Sequence, residues 1–185
     1  YLLLQLSDNL LPKRKASVMC AQLLPDHGVM PEVVYGMNLL GRSKSPFAEP
    51  VFERVLSLLQ ADKRDYEDIR GGIYHYIESF ARASVYGKSP VWIKWLGQLL
   101  DFREIDQAGE GAGDERMEQR LLILKLILSR ALADKKDARG QRELCKLAEN
   151  HCGAIAFSAQ MALLKIQNGS RNGNEKTLHD WKFTY

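Results

Sequence analysis

Three polar side chains, His75, Glu78 and Arg82, stand out among the groups of this chain that could do chemistry. Residues three and four positions apart are neighbours on the surface of a helix, so these three share one face. An imidazole, a carboxylate and a guanidinium held together could bind a polar ligand or a partner. An ordinary solvated stripe explains the same pattern and is the simpler interpretation. The stripe is therefore a candidate for a binding groove, and catalysis is not required to explain it.

Two tryptophans, Trp92 and Trp95, form the densest aromatic feature of the chain. They lie one helical turn apart, so their rings project from the same side of a helix. Tryptophan is enriched among the anchor residues of protein interfaces, which makes the pair a candidate partner-binding site. A role in the hydrophobic core explains the pair more simply, and both interpretations are retained as expectations.

Metal binding and disulfide bonds receive little support from the cysteines. Cys145, His151 and Cys152 lie close in sequence, but their spacing does not match the paired patterns of zinc sites. The chain has three cysteines, with Cys20 as the third, and an odd count in no framework spacing argues against a disulfide scaffold. We therefore expect no metal ligand, and we expect the thiols to be free and buried in helix faces.

Charge and motif content disfavour a nucleic-acid-binding protein and a recognisable enzyme. The 26 basic and 23 acidic residues leave a net charge of +3, which is small for a protein that binds a phosphate backbone. The basic triplet at 13–15, with Arg42 and Lys44 nearby, is explained by a solvated helix start. The sequence contains no nucleophile elbow, zinc-protease motif, phosphate-binding loop or dinucleotide fingerprint. No catalytic residue and no cofactor-binding residue is predicted.

The element that must position these side chains is the stretch at 116–133, RMEQRLLILKLILSRALA, which leaves almost no polar stripe. A helix that is apolar nearly all round is a buried one, so we predict a central core helix. It is not predicted to insert in a membrane, because Arg120, Lys125 and Arg130 interrupt a run that needs about 20 mostly apolar residues to span a bilayer.

The rest of the chain also has a helical pattern, and no stretch alternates apolar and polar residues as a strand does. The fold class is predicted to be all-α. Ser89 is the expected N-cap of one helix, with Pro90 at its first position. Residues 103–114 are expected to be the longest loop, and 134–137 a turn. The other helical runs are predicted at residues 2–11, 13–24, 31–41, 49–60, 65–86, 90–102, 138–150 and 152–167.

These helices group into a repeated pattern of helix, short polar turn and apolar helix, at 32–60, 69–101 and 115–150, with a fourth unit starting at 153. The pattern resembles HEAT repeats over residues 32–166. The matching residues are Leu40-Gly41, Tyr86-Gly87 and Leu132-Ala133 before the turns, Ser45-Pro46, Ser89-Pro90 and Lys136-Asp137 within them, and Leu58-Leu59, Leu99-Leu100, Leu144 and Leu147 after them. The resemblance implies a superhelix of roughly four helical hairpins. A non-repeat helical bundle is the alternative.

One domain at 1–168 and a tail at 169–185 are expected, and Trp181, Phe183 and Tyr185 could dock the tail onto the domain. The opening YLLLQLSDNLL reads as the interior of a helix and not as a signal peptide. It favours a cytoplasmic segment of a longer, bacterial polypeptide.

The HEAT resemblance implies a concave surface for partners. The expected function is therefore a non-catalytic protein-interaction or scaffolding module, which binds a protein partner or other domains of the same polypeptide. One alternative is an accessory domain of a FAD-dependent oxidoreductase, with the flavin bound outside this chain. Others are a HEAT-like nucleic-acid-binding enzyme of the DNA glycosylase type, and a groove that holds a tetrapyrrole or another hydrophobic ligand.

Overall fold

The fold of the described residues is entirely helical. The computed structural model describes residues 49–61, 73–85, 87, 89–109 and 115–172, which form six helices of ten or more residues, one single-turn helix and no strand. This confirms the predicted all-α class. The helices are α1 Glu49–Ala61, α2 Ile73–Ser84, α3 Val91–Leu100, α4 Arg103–Asp106, α5 Glu115–Asp134, α6 Ala138–Asn150 and α7 Gly153–Asn172. The helices predicted before residue 49, and the tail after residue 172, lie outside the described part.

Helix α5 is the centre of the fold, as its sequence predicts. Every residue from Leu121 to Ala133 is at least half-buried, and Leu124 and Leu128 are fully enclosed. Helices α2, α3, α4, α6 and α7 all pack against it. Each such leucine contributes roughly 1.5–3 kcal/mol by leaving water, so α5 supplies much of the core energy. None of the described helices is long and apolar enough to cross a bilayer.

The turn between α5 and α6 is built by backbone hydrogen bonds at the end of α5. The Asp137 N–H donates to the Leu132 carbonyl and the Lys136 N–H to the Ala133 carbonyl, which is the Schellman pattern. Lys136 takes the left-handed conformation that this pattern needs, with φ of 64°. Asp137 then caps α6 by accepting a 2.8 Å hydrogen bond from the Arg139 N–H. The structure confirms the predicted start of α6 at Ala138, whereas α5 runs from Glu115 to Asp134 and so extends one residue beyond the predicted 116–133 at each end.

The turn between α2 and α3 packs against the end of α5. The Trp92 indole lies so close to Gly87 that a side chain there would overlap the ring. The Lys135 ammonium donates a 2.6 Å hydrogen bond to the Gly87 carbonyl, which joins this turn to the α5–α6 turn. Helix α3 runs from Val91 to Leu100 with Pro90 as its N-cap, so the predicted Ser89 cap and the predicted bounds of 90–102 are wrong. Ser89 Oγ accepts a 3.4 Å hydrogen bond from the Val91 N–H just before the helix.

Helix α2 ends at Ser84, two residues before its predicted end at 86, and two further predictions about the extent of helices and loops are wrong. Residues 103–109 are not the start of a loop, because they contain α4 and bury Ile105 and Ala108. The burial of these two side chains against α5 stabilises a turn that the surrounding polar sequence does not suggest. The last helix was expected to end at Gln167, but α7 continues to Asn172.

Candidate partner-binding surface

The predicted tryptophan pair lies in the core. Trp92 and Trp95 are 2% and 6% exposed, and their ring centroids are 5.2 Å apart. Phe52 of α1 and Phe80 of α2 complete the cluster, with edge-to-face contacts at 4.9 Å and 5.4 Å from Trp92. Such contacts stabilise beyond the apolar area they bury. In the described structure the pair joins α1, α2 and α3, which agrees with the core interpretation.

The predicted polar stripe on α2 contains a surface ion pair. Arg82 Nη2 lies 2.5 Å from Glu78 Oε1, and the Arg82 side chain is 46% exposed. The side chain of His75, the third predicted member, lies outside the described residues. An exposed pair four residues apart contributes only about 0.3–0.5 kcal/mol, so these two residues give no sign of a constrained chemical site.

The expectation of buried thiols is wrong for two of the three cysteines. Cys145 and Cys152 are free and exposed. Leu144 and Leu147 define the buried side of α6, and Cys145 follows Leu144 by a rotation of about 100°, which turns it toward solvent. Across the described ranges, no three His, Cys, Asp or Glu side chains are grouped closely enough to hold a metal ion. Cys20 lies outside them.

A buried polar group lies at the carboxyl end of α5. The Arg130 Nε atom is 3.8 Å from Asp134 Oδ2, and Arg130 is only 8% exposed. Burial lowers the pKa of Arg130 to about 10, although the Asp134 charge opposes this shift. Burial also raises the pKa of the Asp134 carboxyl and lowers that of the Lys135 ammonium. Arg130 pairs with Asp134 within α5, whereas Lys135 donates to the Gly87 carbonyl and so joins the turn after α5 to the turn between α2 and α3.

The surface that does require an explanation lies on α7. Its inner face is lined with small residues, of which Ala159 and Ala162 are fully buried against the core. On the opposite side Phe157, Met161 and Leu164 are 63%, 40% and 49% exposed, and they are the exposed large hydrophobic residues of the described structure. Exposed Ala154 extends the row by one turn. We call Ala154, Phe157, Met161 and Leu164 the outer stripe.

Helix α7 itself carries little charge beside the outer stripe. Helix α7 contains no acidic residue, and its only charged residues are Lys165 and Arg171. Gln160, Gln167 and Asn168 are exposed beside the stripe. An apolar row bordered by neutral polar groups is typical of a surface that packs against another apolar element, because contiguous exposed apolar residues mark interaction sites.

Sequence analysis missed the outer stripe because α7 is apolar on two sides. Its alanines, together with Ile155, Leu163 and Ile166, are enough to predict a helix that packs against the core. The sequence pattern does not show which of its two apolar sides meets the core. The available signal was the spacing of 3, 4 and 3 residues along the stripe, which is separate from the row of alanines.

No protein-family model, curated protein or solved structure matches this chain. The function must therefore be argued from the geometry of the described residues.

Proposed function

We propose that this chain is a non-catalytic protein-interaction module, made of HEAT-like helical hairpins, that binds a partner through the outer stripe of α7. A scaffold of this kind would serve as one part of a larger assembly or polypeptide. The observation that carries the proposal is the helix with two apolar faces. One face is buried in the core, and the other presents Phe157, Met161 and Leu164 to solvent.

The order of packing supports the repeat architecture. Helices α5 and α6 form a closely packed hairpin with a short turn, and α2 and α3, also joined by a short turn, pack mainly on α5 and little on each other. The first helices of successive units are neighbours, since α2 packs on α5 and α5 packs on α7. In this scheme α7 is the first helix of a further unit. Its outer stripe occupies the position where a second helix would pack, because a single hairpin cannot bury its apolar face alone.

Site-specific photo-crosslinking in cells tests the proposed interaction. A photoreactive amino acid replaces Phe157 or Leu164 in the full chain, and matched variants carry it at Arg142 or Glu149, which are exposed on the polar side of α6. We expect crosslinks to a defined protein, mapped by mass spectrometry, from the two stripe positions and not from the α6 positions.

Equal crosslinking at α6 and α7 would contradict the proposal, because contact would then be non-specific. Crosslinks from Phe157 only to other residues of the same molecule would also contradict it, since the stripe would then be covered from within the chain.

A further inference from the structure

We infer that the partner at the outer stripe is a second copy of this chain, with the two α7 helices packed side by side in antiparallel orientation. The inference rests on the proposed function and names the occupant of the same surface. The geometry of the stripe and its charge support it, and its size sets how tightly the two copies are expected to bind.

The spacing of the stripe specifies a helical occupant. Steps of 3, 4 and 3 residues from Ala154 to Leu164 form a seam on one side of the helix, as the a and d positions of a heptad do. Asn168 follows four residues later and continues the seam with a polar residue. A helix lying along this seam can place its own side chains between those of α7, whereas a flat or extended partner would leave the gaps unfilled.

The seam is compatible with its own copy. A two-fold contact is self-complementary, so that residue i of one copy meets residue j of the other and the reverse. In the antiparallel arrangement Met161 of each copy lies against Leu164 of the other. Phe157 then lies near Asn168, whose polar group reaches the edge of the contact.

The charges permit two copies to approach. The exposed side of α7 has a single charged residue with a described side chain, Lys165, and this residue also interacts electrostatically with Asp134 of α5. The net charge of +3 per copy produces only weak repulsion between molecules. Among the described side chains of α7, a strongly acidic partner helix would find only Lys165 to pair with at the stripe, so the near-neutral surface favours an equally neutral one.

The size of the stripe limits the affinity. Ala154 and Leu164 are ten residues apart, which is about 15 Å along a helix. Three large side chains over this length are well below the roughly 800 Å² per partner of a standard stable interface. The dimer is therefore expected to be weak and to dissociate readily.

Sedimentation velocity of the purified full chain over a range of concentrations tests the inference. We expect a shift from monomer to dimer in that range for the unmodified protein. Met161→Glu should weaken association at least tenfold, because it buries two carboxylates near the two-fold axis. The control Glu149→Gln changes an exposed residue of α6 and should leave the dimer unaffected. Both variants should keep the circular dichroism and Tm of the monomer, since Met161 lies outside the core.

Disulfide trapping tests the antiparallel orientation, in a background where Cys20, Cys145 and Cys152 are replaced by serine. A mixture of Met161→Cys and Leu164→Cys proteins should form mainly mixed crosslinked dimers. Dimers that link 164 to 164 would instead indicate a parallel contact and would overturn the arrangement.

A chain that stays monomeric at all accessible concentrations would overturn the inference, and so would a dimer that Met161→Glu leaves intact. Neither result removes the proposed function, which stands if Phe157 and Leu164 crosslink a different protein in cells. A large fall in monomer Tm for Met161→Glu would overturn both, because the stripe would then be part of the core.

Discussion

At the scale of single residues, Gly140 lies where α6 approaches the backbone of α5 too closely for a side chain. A Cβ there would lie 2.5 Å from the Ser129 carbonyl oxygen and 2.7 Å from the Leu132 Cβ. The backbone nitrogen of Ala133 is also too close for it. These obstacles are mostly backbone atoms, which cannot move without shifting α5 itself. Gly140 therefore sets the distance between α5 and α6.

Two glycine-to-alanine substitutions should consequently have opposite effects. Gly140→Ala is expected to destabilise the fold by about 1–3 kcal/mol through overpacking. Gly97→Ala in α3 would place its Cβ 3.6 Å from Arg139 Nη1, an ordinary contact, and should stabilise by about 0.5–1 kcal/mol because alanine favours the helix. Chemical denaturation of both variants measures the difference.

The matched pair separates close packing from helix propensity. If Gly140→Ala were as stable as Gly97→Ala, the close approach of α5 and α6 would be refuted. The sequence alone could not distinguish these two glycines, since both lie within predicted helices. Only the position of a neighbouring backbone makes one of them necessary.

At the scale of elements, a bidentate ion pair fastens α3 to the hairpin that follows it. Arg139 Nη1 donates to Asp101 Oδ2 and Arg139 Nη2 donates to Asp101 Oδ1, at the end of α3. The hydrogen bond from Arg139 is the main cause that lowers the pKa of the Asp101 carboxyl, against a smaller effect of desolvation. The Asp101 side chain is 60% exposed, so the contribution of the pair to stability is small, at most about 1 kcal/mol.

This ion pair predicts a pH dependence of defined sign. The pKa of Asp101 is lower in the folded state than the ordinary value of 3.8 for an aspartate, so its contribution is fully present above about pH 4. It is lost as the pH falls through the folded pKa. Asp101→Asn should therefore reduce the free energy of unfolding at pH 6, and the difference from the unmodified protein should shrink below pH 4.

Urea unfolding of Asp101→Asn and of the unmodified protein at pH 6 and at pH 3 tests this pH dependence. Glu149→Gln is the control, because it removes a carboxylate from the exposed face of α6. A difference for Asp101→Asn that is the same at pH 6 and pH 3 would show that the pair contributes nothing through its charge.

The central helix gives the strongest mutational prediction at this scale. Leu124 is 0% exposed, and Leu124→Asp should unfold the described fold, because a carboxylate without a partner cannot be buried there at acceptable cost. Ile127 is half-buried, so Ile127→Asp should destabilise less than the Leu124 variant. Circular dichroism during heating measures both. A cooperative transition at the unmodified Tm in the Leu124 variant would show that α5 is not the core helix.

Long helices with one apolar face are predicted well from the sequence. Very short helices, and helices that are apolar on two sides, are not. The bounds of α6 were predicted correctly, because Asp137 caps its start and Leu144 and Leu147 repeat at helical spacing. Helix α4 was missed because its single turn depends on burial of Ile105 against a helix distant in sequence. The exposure of Cys145 was missed for a related reason, since its own sequence pattern does not fix which side of α6 meets the core.

At the scale of the whole molecule, the sequence predicts the all-α fold class but not the exposed apolar surface on α7. An all-α chain organised around residues 116–133 follows from hydrophobic periodicity alone. The outer stripe does not, because α7 has two apolar sides and the choice between them is made by α5 and α6. The proposed hairpin array and the proposed contact with a second copy both depend on which side of α7 is left exposed.

The aromatic cluster also gives one part of the molecule its own spectroscopic signal. Two of the chain's three tryptophans, Trp92 and Trp95, are enclosed where α1, α2 and α3 meet, whereas α5, α6 and α7 contain none. Their fluorescence therefore reports the environment of the first hairpin, while far-ultraviolet circular dichroism reports helices throughout the chain. The two signals will coincide during unfolding only if the hairpins melt together, so this cluster makes the cooperativity of the stack directly visible.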